Sequence, residues 1–308
     1  MEFKHVSILL EDCILGLDIK PSGIYVDATL GGAGHSKSIV EKLTTGKLIC
    51  IDRDINAIEN AKKRLAEHLD KVVFVKSNFS DIDLAIKEAG FTKVDGILFD
   101  LGVSSPQLDT KERGFSYMQD SKLDMRMDTS ATLSAFEIVN EWDFEKLRTI
   151  IFKYGEEKFA NKIASKICES RPINTTFELV EIIKSALPEK VKREKGHPAK
   201  KTFQAIRIAV NDELTSIEIA MQKAIDCLNL DGRACVITFH SLEDRIVKNI
   251  FADNARGCDC SKKLPVCVCH KTPTVELVKR KPIIPTDEEI EFNPRARSAK
   301  LRIIKKLK

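Results

Sequence analysis

Tyr25-Val26-Asp27-Ala28-Thr29-Leu30-Gly31-Gly32-Ala33-Gly34-His35-Ser36, followed by Leu48-Ile49-Cys50-Ile51-Asp52, decides how this chain folds. It reads as a buried strand, a glycine-rich turn, a helix, and a second buried strand with an acid at its end. That is the opening of a doubly wound, nucleotide-binding α/β sheet, in which bare backbone approaches a ligand and the acid grips a ribose. Asp52 lies about twenty residues beyond the glycines, the spacing expected of a carboxylate that accepts both ribose hydroxyls. The pyrophosphate fingerprint G-x-G-x-x-G is incomplete, because with Gly32 and Gly34 as its first two members its third falls on Lys37. An adenosine cofactor without a pyrophosphate, such as S-adenosylmethionine, suits the pattern better. The alternative is a tight turn that binds nothing, since such turns are common in α/β proteins.

Outward from this stretch, strands are expected at Ile24–Asp27, Leu48–Ile51, Val72–Val75 and Gly96–Phe99, with a helix over Asn56–His68. Short β-branched runs alternating with helical periodicity predict a parallel sheet with crossovers. The rhythm stops near Thr110. A polar loop follows, then helices at Phe144–Phe152, Glu156–Glu169, Phe177–Ala186 and Ala199–Val210, punctuated by Pro172, Pro188 and Pro198, with Thr175 or Thr176 as an N-cap. The α/β pattern resumes with a helix over Leu214–Leu228, a turn at Asp231-Gly232-Arg233 and a strand over Ala234–Phe239. Arg256–Pro285 reads as irregular, and Ala299–Ile304 as the last strand. The expected organisation is therefore an α/β core (1–109 and 214–308) interrupted by an all-helical insertion (110–213). An insertion after the fourth strand enters beside the ligand crevice and so is expected to help recognise substrate.

Composition sets outer bounds. The 308 residues, 43% hydrophobic and 31% charged, suffice for a sizeable core. The net charge of +4 does not by itself point to nucleic acid, but basic residues crowd into Lys184–Lys201, Lys279–Lys281 and Arg295–Lys308, as on a polyanion-binding face. No apolar run approaches a membrane span, and the N-terminus lacks signal-peptide character, so a cytoplasmic protein is expected. Nine cysteines, several of them in apolar segments (Cys50, Cys168, Cys227, Cys235), fit reduced thiols rather than a disulfide framework. Cys258-x-Cys260 and Cys267-x-Cys269, with His270 adjoining, offer a thiolate zinc set, although C-x-C is tighter than the usual C-x₂₋₄-C. Reduced loop thiols are the first expectation there, and no metal is required for chemistry.

Candidate chemistry gathers at strand ends. Asp100 stands at the carboxyl end of the strand Gly96–Phe99 and is followed by a loop with Gly102 and Pro106, which puts it beside the glycine turn and Asp52. It could accept a hydrogen bond from an amine or simply form a turn. Phe79 could stack on adenine or pack in the core. His240 and Ser241 could face an acceptor base, or their cluster with Glu243, Asp244 and Arg245 could cap and ion-pair the next helix.

Further blocks carry a family resemblance. They include His5-Val6-Ser7, Gly31–Ser36, Ile51–Asp54, Asp100–Asp109, Arg113–Ser116, Leu123–Asp128, Gln204–Leu214, Phe239–Arg245 and Asn293–Ser298. Through them the chain resembles, over nearly its whole length, the MraW/RsmH family of S-adenosylmethionine-dependent methyltransferases. The resemblance implies a class I (Rossmann-like) methyltransferase core with a helical insertion. It also implies methylation of the exocyclic N4 of a cytidine in the decoding region of 16S (small-subunit) rRNA. By the same resemblance Ala33, Gly34, His35, Asp52, Phe79, Asp100 and Gln107 fall at cofactor-contacting positions. Cytosine N4 is a poor nucleophile because its lone pair is delocalised into the ring. An acceptor aimed at N4–H would favour attack, and Asp100 is the candidate, either in that role or as a cofactor contact. A base within structured RNA must be turned out to be reached, for which Arg113, Phe115, Tyr117, Arg126 and the Lys184–Lys201 run are candidate contacts. Two rival readings are the same cofactor with a DNA, protein or small-molecule acceptor, and a non-catalytic RNA-binding factor. DNA-acting relatives commonly carry S/D-P-P-Y/F where this chain has Ser104-Ser105-Pro106-Gln107, so no DNA partner and no membrane partner are expected.

Overall fold

The β-branched runs pair into one sheet. The computed structural model describes residues 7–193, 196–258, 260, 266 and 268–308. Its strands are β1 (Ile24–Asp27), β2 (Lys47–Asp52), β3 (Val72–Lys76), β4 (Val94–Asp100), β5 (Leu228–Thr238), β6 (Val275–Leu277) and β7 (Lys300–Lys306). Their spatial order is β3-β2-β1-β4-β5-β7-β6. The first five run parallel, and β7 lies antiparallel to both β5 and β6. This is the doubly wound α/β sheet expected from the sequence.

Helices follow in chain order as α1 (Leu10–Leu17), α2 (Gly34–Val40), α3 (Ile55–Arg64), α4 (Ile82–Glu88), α5 (Ser105–Asp109), α6 (Ala135–Glu141) and α7 (Phe144–Lys153). They continue as α8 (Ala160–Glu169), α9 (Thr176–Ala186), α10 (Glu189–Lys192), α11 (Lys200–Asn211), α12 (Glu213–Cys227), α13 (Ser241–Asn254) and α14 (Asp287–Phe292).

The chain divides into two compact units, one of residues 1–102 and 214–308, the other of Val103–Glu213. In the first unit, alternation along the strands separates two cores. Val26, Ile49, Ile51, Ile97, Phe99, Ala234 and Val236 face one layer, with Ile217, Met221 and Ile225 of α12. Tyr25, Leu48, Cys50, Leu98, Cys235 and Ile237 face the other, with Cys13 and Leu17 of α1. A period of two in a sheet covered on both faces requires this division. The second unit closes on its own core, with Leu147, Ile151, Ile163, Ile167, Leu179, Ile183 and Phe203 fully or nearly buried. Thr175 is the N-cap of α9, its hydroxyl accepting from Glu178 N while Glu178 reaches back, so the expected cap is a full capping box.

The structure corrects several local expectations. Asp231-Gly232-Arg233 is not a free turn but an irregularity inside β5, where pairing jumps from Val94–Leu228 to Gly96–Arg233 and Asp231 takes a left-handed φ of 63°. The helix expected from Glu156 begins at Ala160, because Glu156 is left-handed (φ 47°) and Gly155 sits against the carbonyls of Ile151 and Lys201. The stretch read as irregular contains β6, whose partner β7 is distant in sequence. The helical unit begins at Val103, ahead of the expected residue 110.

Candidate active site

Parallel register sets the height of each strand end. Asp27 lies opposite Cys50 of β2 and Leu98 of β4. Two residues further on, Thr29, Asp52 and Asp100 therefore reach one level at the carboxyl edge. The strand order reverses between β1 and β4, which is where open α/β sheets bind ligands.

Hydrogen bonds lock this level. The Thr29 hydroxyl accepts from Asp100 N at 2.6 Å, and Thr29 N donates to Asp27 Oδ1 at 3.2 Å. Asp52 accepts Gly31 N on Oδ2 (2.9 Å) and Asp54 N on Oδ1 (2.8 Å). Each carboxylate oxygen has two lone pairs, so one on each remains for a pair of hydroxyls. The turn between them holds Gly31 at φ 46° and Ala33 at φ 57°, a left-handed path that brings backbone past Asp52 without bulky side chains. Gly34, at the start of α2, is pressed against Ser7, where an added Cβ would fall 2.0 Å from the hydroxyl oxygen.

Asp27 is buried beneath this turn, with Ser36 Oγ donating to its Oδ2 at 2.6 Å. Burial pushes its carboxyl up to about 6, although the Ser36 hydroxyl and Thr29 N–H pull the other way. Burial likewise raises Asp52, opposed by the N–H groups of Asp54 and Gly31.

Asp100 is the least satisfied acid of the group. About 30% of its side chain is exposed, yet Oδ1 is enclosed and has no hydrogen-bond partner. Desolvation first, then the negative charges of Asp27 and Glu243, push its carboxyl up to about 8. His35 stands beside it with Nδ1 3.7 Å from Asp100 Oδ2, while His35 Nε2 lies 3.1 Å from the carbonyl of Ile8. A carbonyl only accepts, so Nε2 carries a proton toward Ile8. Phe79 follows β3 half-buried, its ring edge-on to Phe99 at 6.0 Å.

His240 ends β5 as the N-cap of α13. Its Nδ1 accepts from Glu243 N at 3.4 Å, and Glu243 Oε2 accepts from Phe239 N (2.7 Å) and His240 N (3.1 Å). Nε2 lies 3.1 Å from Glu243 Oε1 but forms no hydrogen bond. Asp244 binds Arg302 and Lys300 of β7, a strand remote in sequence, and not the following helix that the cluster was expected to ion-pair.

Gln107 belongs to the other unit, where its side chain closes the capping box of α5 with Ser104. The remaining candidates there hold their own unit together. Arg113 donates to the carbonyls of Arg126 and Met127, and Phe115 is buried in the helical core. Tyr117 stacks on His197 at 4.4 Å, and Arg126 forks onto Asp124 with two bonds of 2.8 Å. Lys184 and Lys192 of the basic run pair with Glu181 and Glu189, while Glu194 and Lys195 lie outside the described residues. Arg126, Lys184 and Lys192 find partners within a few residues and Arg113 across a loop, whereas Tyr117 meets His197 from a distant part of the unit. Missed in the sequence were Thr29 and Asp27, whose only signal is their place at the end of β1 directly before the glycines.

Among the cysteines, Cys13, Cys50 and Cys235 are buried in the sheet core, and burial raises their thiols. Cys258, Cys260 and Cys269 come together on the loop after α13, whereas Cys267 lies outside the described residues.

A model of the MraW methylase family matches residues 2–307. The chain belongs to that family. A relative from Brevibacillus brevis is 56% identical over all of this chain and 99% of its own length. Others from Finegoldia magna (55%) and Clostridioides difficile (54%) match over the full length of both chains. All three are named ribosomal RNA small subunit methyltransferase H. The cofactor of this family is the one expected from the sequence, S-adenosylmethionine. The sheet edge suits it, because Asp52 keeps acceptor capacity for a ribose and the enclosed Asp100 Oδ1 awaits a donor. No helix among the described residues is long and apolar enough to cross a membrane.

Proposed function

We propose that the protein transfers a methyl group from S-adenosylmethionine to the exocyclic N4 of a cytidine in the decoding region of 16S rRNA, acting in the cytoplasm on rRNA or the small subunit. The observation that carries this reading is the enclosed, unpartnered Oδ1 of Asp100, level with Asp52 at the switch point of a methylase fold. A buried acceptor without a donor is costly, so the site is built to receive an N–H from a ligand.

In this reading Asp52 binds the adenosine ribose, and Ala33, Gly34 and His35 shape the turn beside it. Phe79 borders the adenine. The donor supplies a methyl already activated on a sulfonium, so the chain's work is mainly positioning. Asp100 accepts from the cytosine N4–H, which returns electron density to the nitrogen. His35 stands beside Asp100, with Nδ1 3.7 Å from Asp100 Oδ2. We assign His240 to positioning, since its Nδ1 accepts from Glu243 N and its cap sets the start of α13.

The test incubates the protein with radiolabelled S-adenosylmethionine and undermethylated small subunits, with DNA and ribosomal proteins as competing acceptors. Nucleoside analysis is expected to place the label in N4-methylcytidine from 16S rRNA. Label on DNA, protein or cytosine C5, with none at N4, overturns the proposal.

A further inference from the structure

The loop that leaves α13 and returns to β6 is closed at its base. Thr274 N donates to the Asn254 carbonyl at 2.9 Å, and Thr274 Oγ1 bonds Asn254 Oδ1 at 3.0 Å. Between these anchors the described residues of the loop form no core of their own. Val266 and Val268 are 70% and 65% exposed, and no described residue from Arg256 to Pro273 joins any of the hydrophobic clusters. Apolar burial therefore does not hold these described residues.

Thiols nevertheless converge in it. The sulfurs of Cys258, Cys260 and Cys269 lie within 4.8 Å of one another, and Cys258 Sγ and Cys269 Sγ are 3.7 Å apart. Tetrahedral zinc with Zn–S bonds of about 2.3 Å sets its sulfurs roughly 3.8 Å apart. A disulfide would require about 2.05 Å. Two backbone N–H groups also point at the sulfurs: Cys260 N at Cys258 Sγ and Val268 N at Cys260 Sγ, both at 3.3 Å. Such N–H···S bonds stabilise thiolates and orient them as outer-shell partners of a metal do. The tight C-x-C spacing is accommodated because the second cysteine's own N–H turns back onto the first sulfur.

We propose that Cys258, Cys260 and Cys269 form a structural site for one thiophilic divalent ion, best matched by Zn²⁺, which ties down the α13–β6 loop in place of a hydrophobic core. All three ligands come from one loop, so binding is coupled to ordering that loop. The site lies away from Asp52 and Asp100 along the chain, at the opposite margin of the sheet order from β3. It acts on the loop, not on methyl transfer.

The experiment uses the full chain, produced in zinc-supplemented medium and purified with reductant and without chelator. Elemental analysis is expected to find about one zinc per chain, with Cys258→Ser/Cys269→Ser falling at least tenfold below that while its main thermal transition and donor binding stay as in the wild type. Replacing zinc by cobalt should give thiolate-to-cobalt charge-transfer absorption in the wild type. That readout needs no variant, so the test survives a double variant that does not fold. Limited proteolysis should cut between Arg256 and Lys279 only after metal removal. A reduced wild type that takes up neither zinc nor cobalt overturns the site, as does a Cys258–Cys269 disulfide in the native protein or zinc retained undiminished by a folded double variant.

Discussion

Asp100 shows how one residue takes its chemistry from its surroundings. As a free side chain it would be a strong acid, but enclosure and the charges of Asp27 and Glu243 hold its carboxyl near 8. An acceptor works only when deprotonated. The rate with free enzyme, kcat/KM, is therefore expected to rise with pH and level off above about 8, and a profile flat from pH 6 to 9 would remove Asp100 as the acceptor. Asp100→Asn should lower kcat by roughly 10²–10⁴-fold with a much smaller change in donor Kd measured by calorimetry. Loss confined to donor affinity would instead make Asp100 a cofactor contact. That Asp100 ends a strand is plain in the sequence. Its unsatisfied Oδ1 and its neighbours Asp27 and Glu243 are not, because they arrive from three different strand ends.

At the scale of elements, patterns with local causes were legible and those with distant causes were not. The strands of the parallel core and the Thr175 cap follow from alternation and capping chemistry carried by neighbouring residues. By contrast, β6 is short and half-exposed, and exists because β7 offers it an edge. Likewise Asp231–Arg233 has turn composition, yet β4 recruits it into β5. Glycine reveals the same dependence. Gly96 of β4 lies opposite Tyr25 of β1, and an added Cβ would fall 2.7 Å from the Tyr25 ring. Tyr25 is only 1% exposed and has nowhere to go. Gly96→Ala is therefore expected to destabilise the protein by about 1–3 kcal/mol, read as a lower urea midpoint with an unchanged m-value.

For the molecule as a whole, the buried acids make stability depend on pH. Asp27 and Asp100 titrate near 6 and 8 in the folded chain, against roughly 3.9 when unfolded. Between those values the folded state holds protons that the unfolded state has released. Stability must therefore fall as pH rises through that window, and the preference for the folded form is fullest at its acidic end. Urea midpoints of the ligand-free protein should drop from pH 5 to pH 8, and Asp100→Asn should flatten the upper part of that drop. An equal slope in wild type and variant would refute the assignment.

The chain alone determined that an α/β sheet opens with a glycine turn and an acid, that a helical stretch interrupts it, and which family's blocks it carries, because these are written in residues close together or in fixed order. Only the tertiary structure decided that Thr29, Asp52 and Asp100 stand level, that Asp27 and Glu243 lie close enough to shift Asp100, and that three loop sulfurs meet. Register, enclosure and convergence are relations between segments remote in sequence, and they come into being when the strands pair.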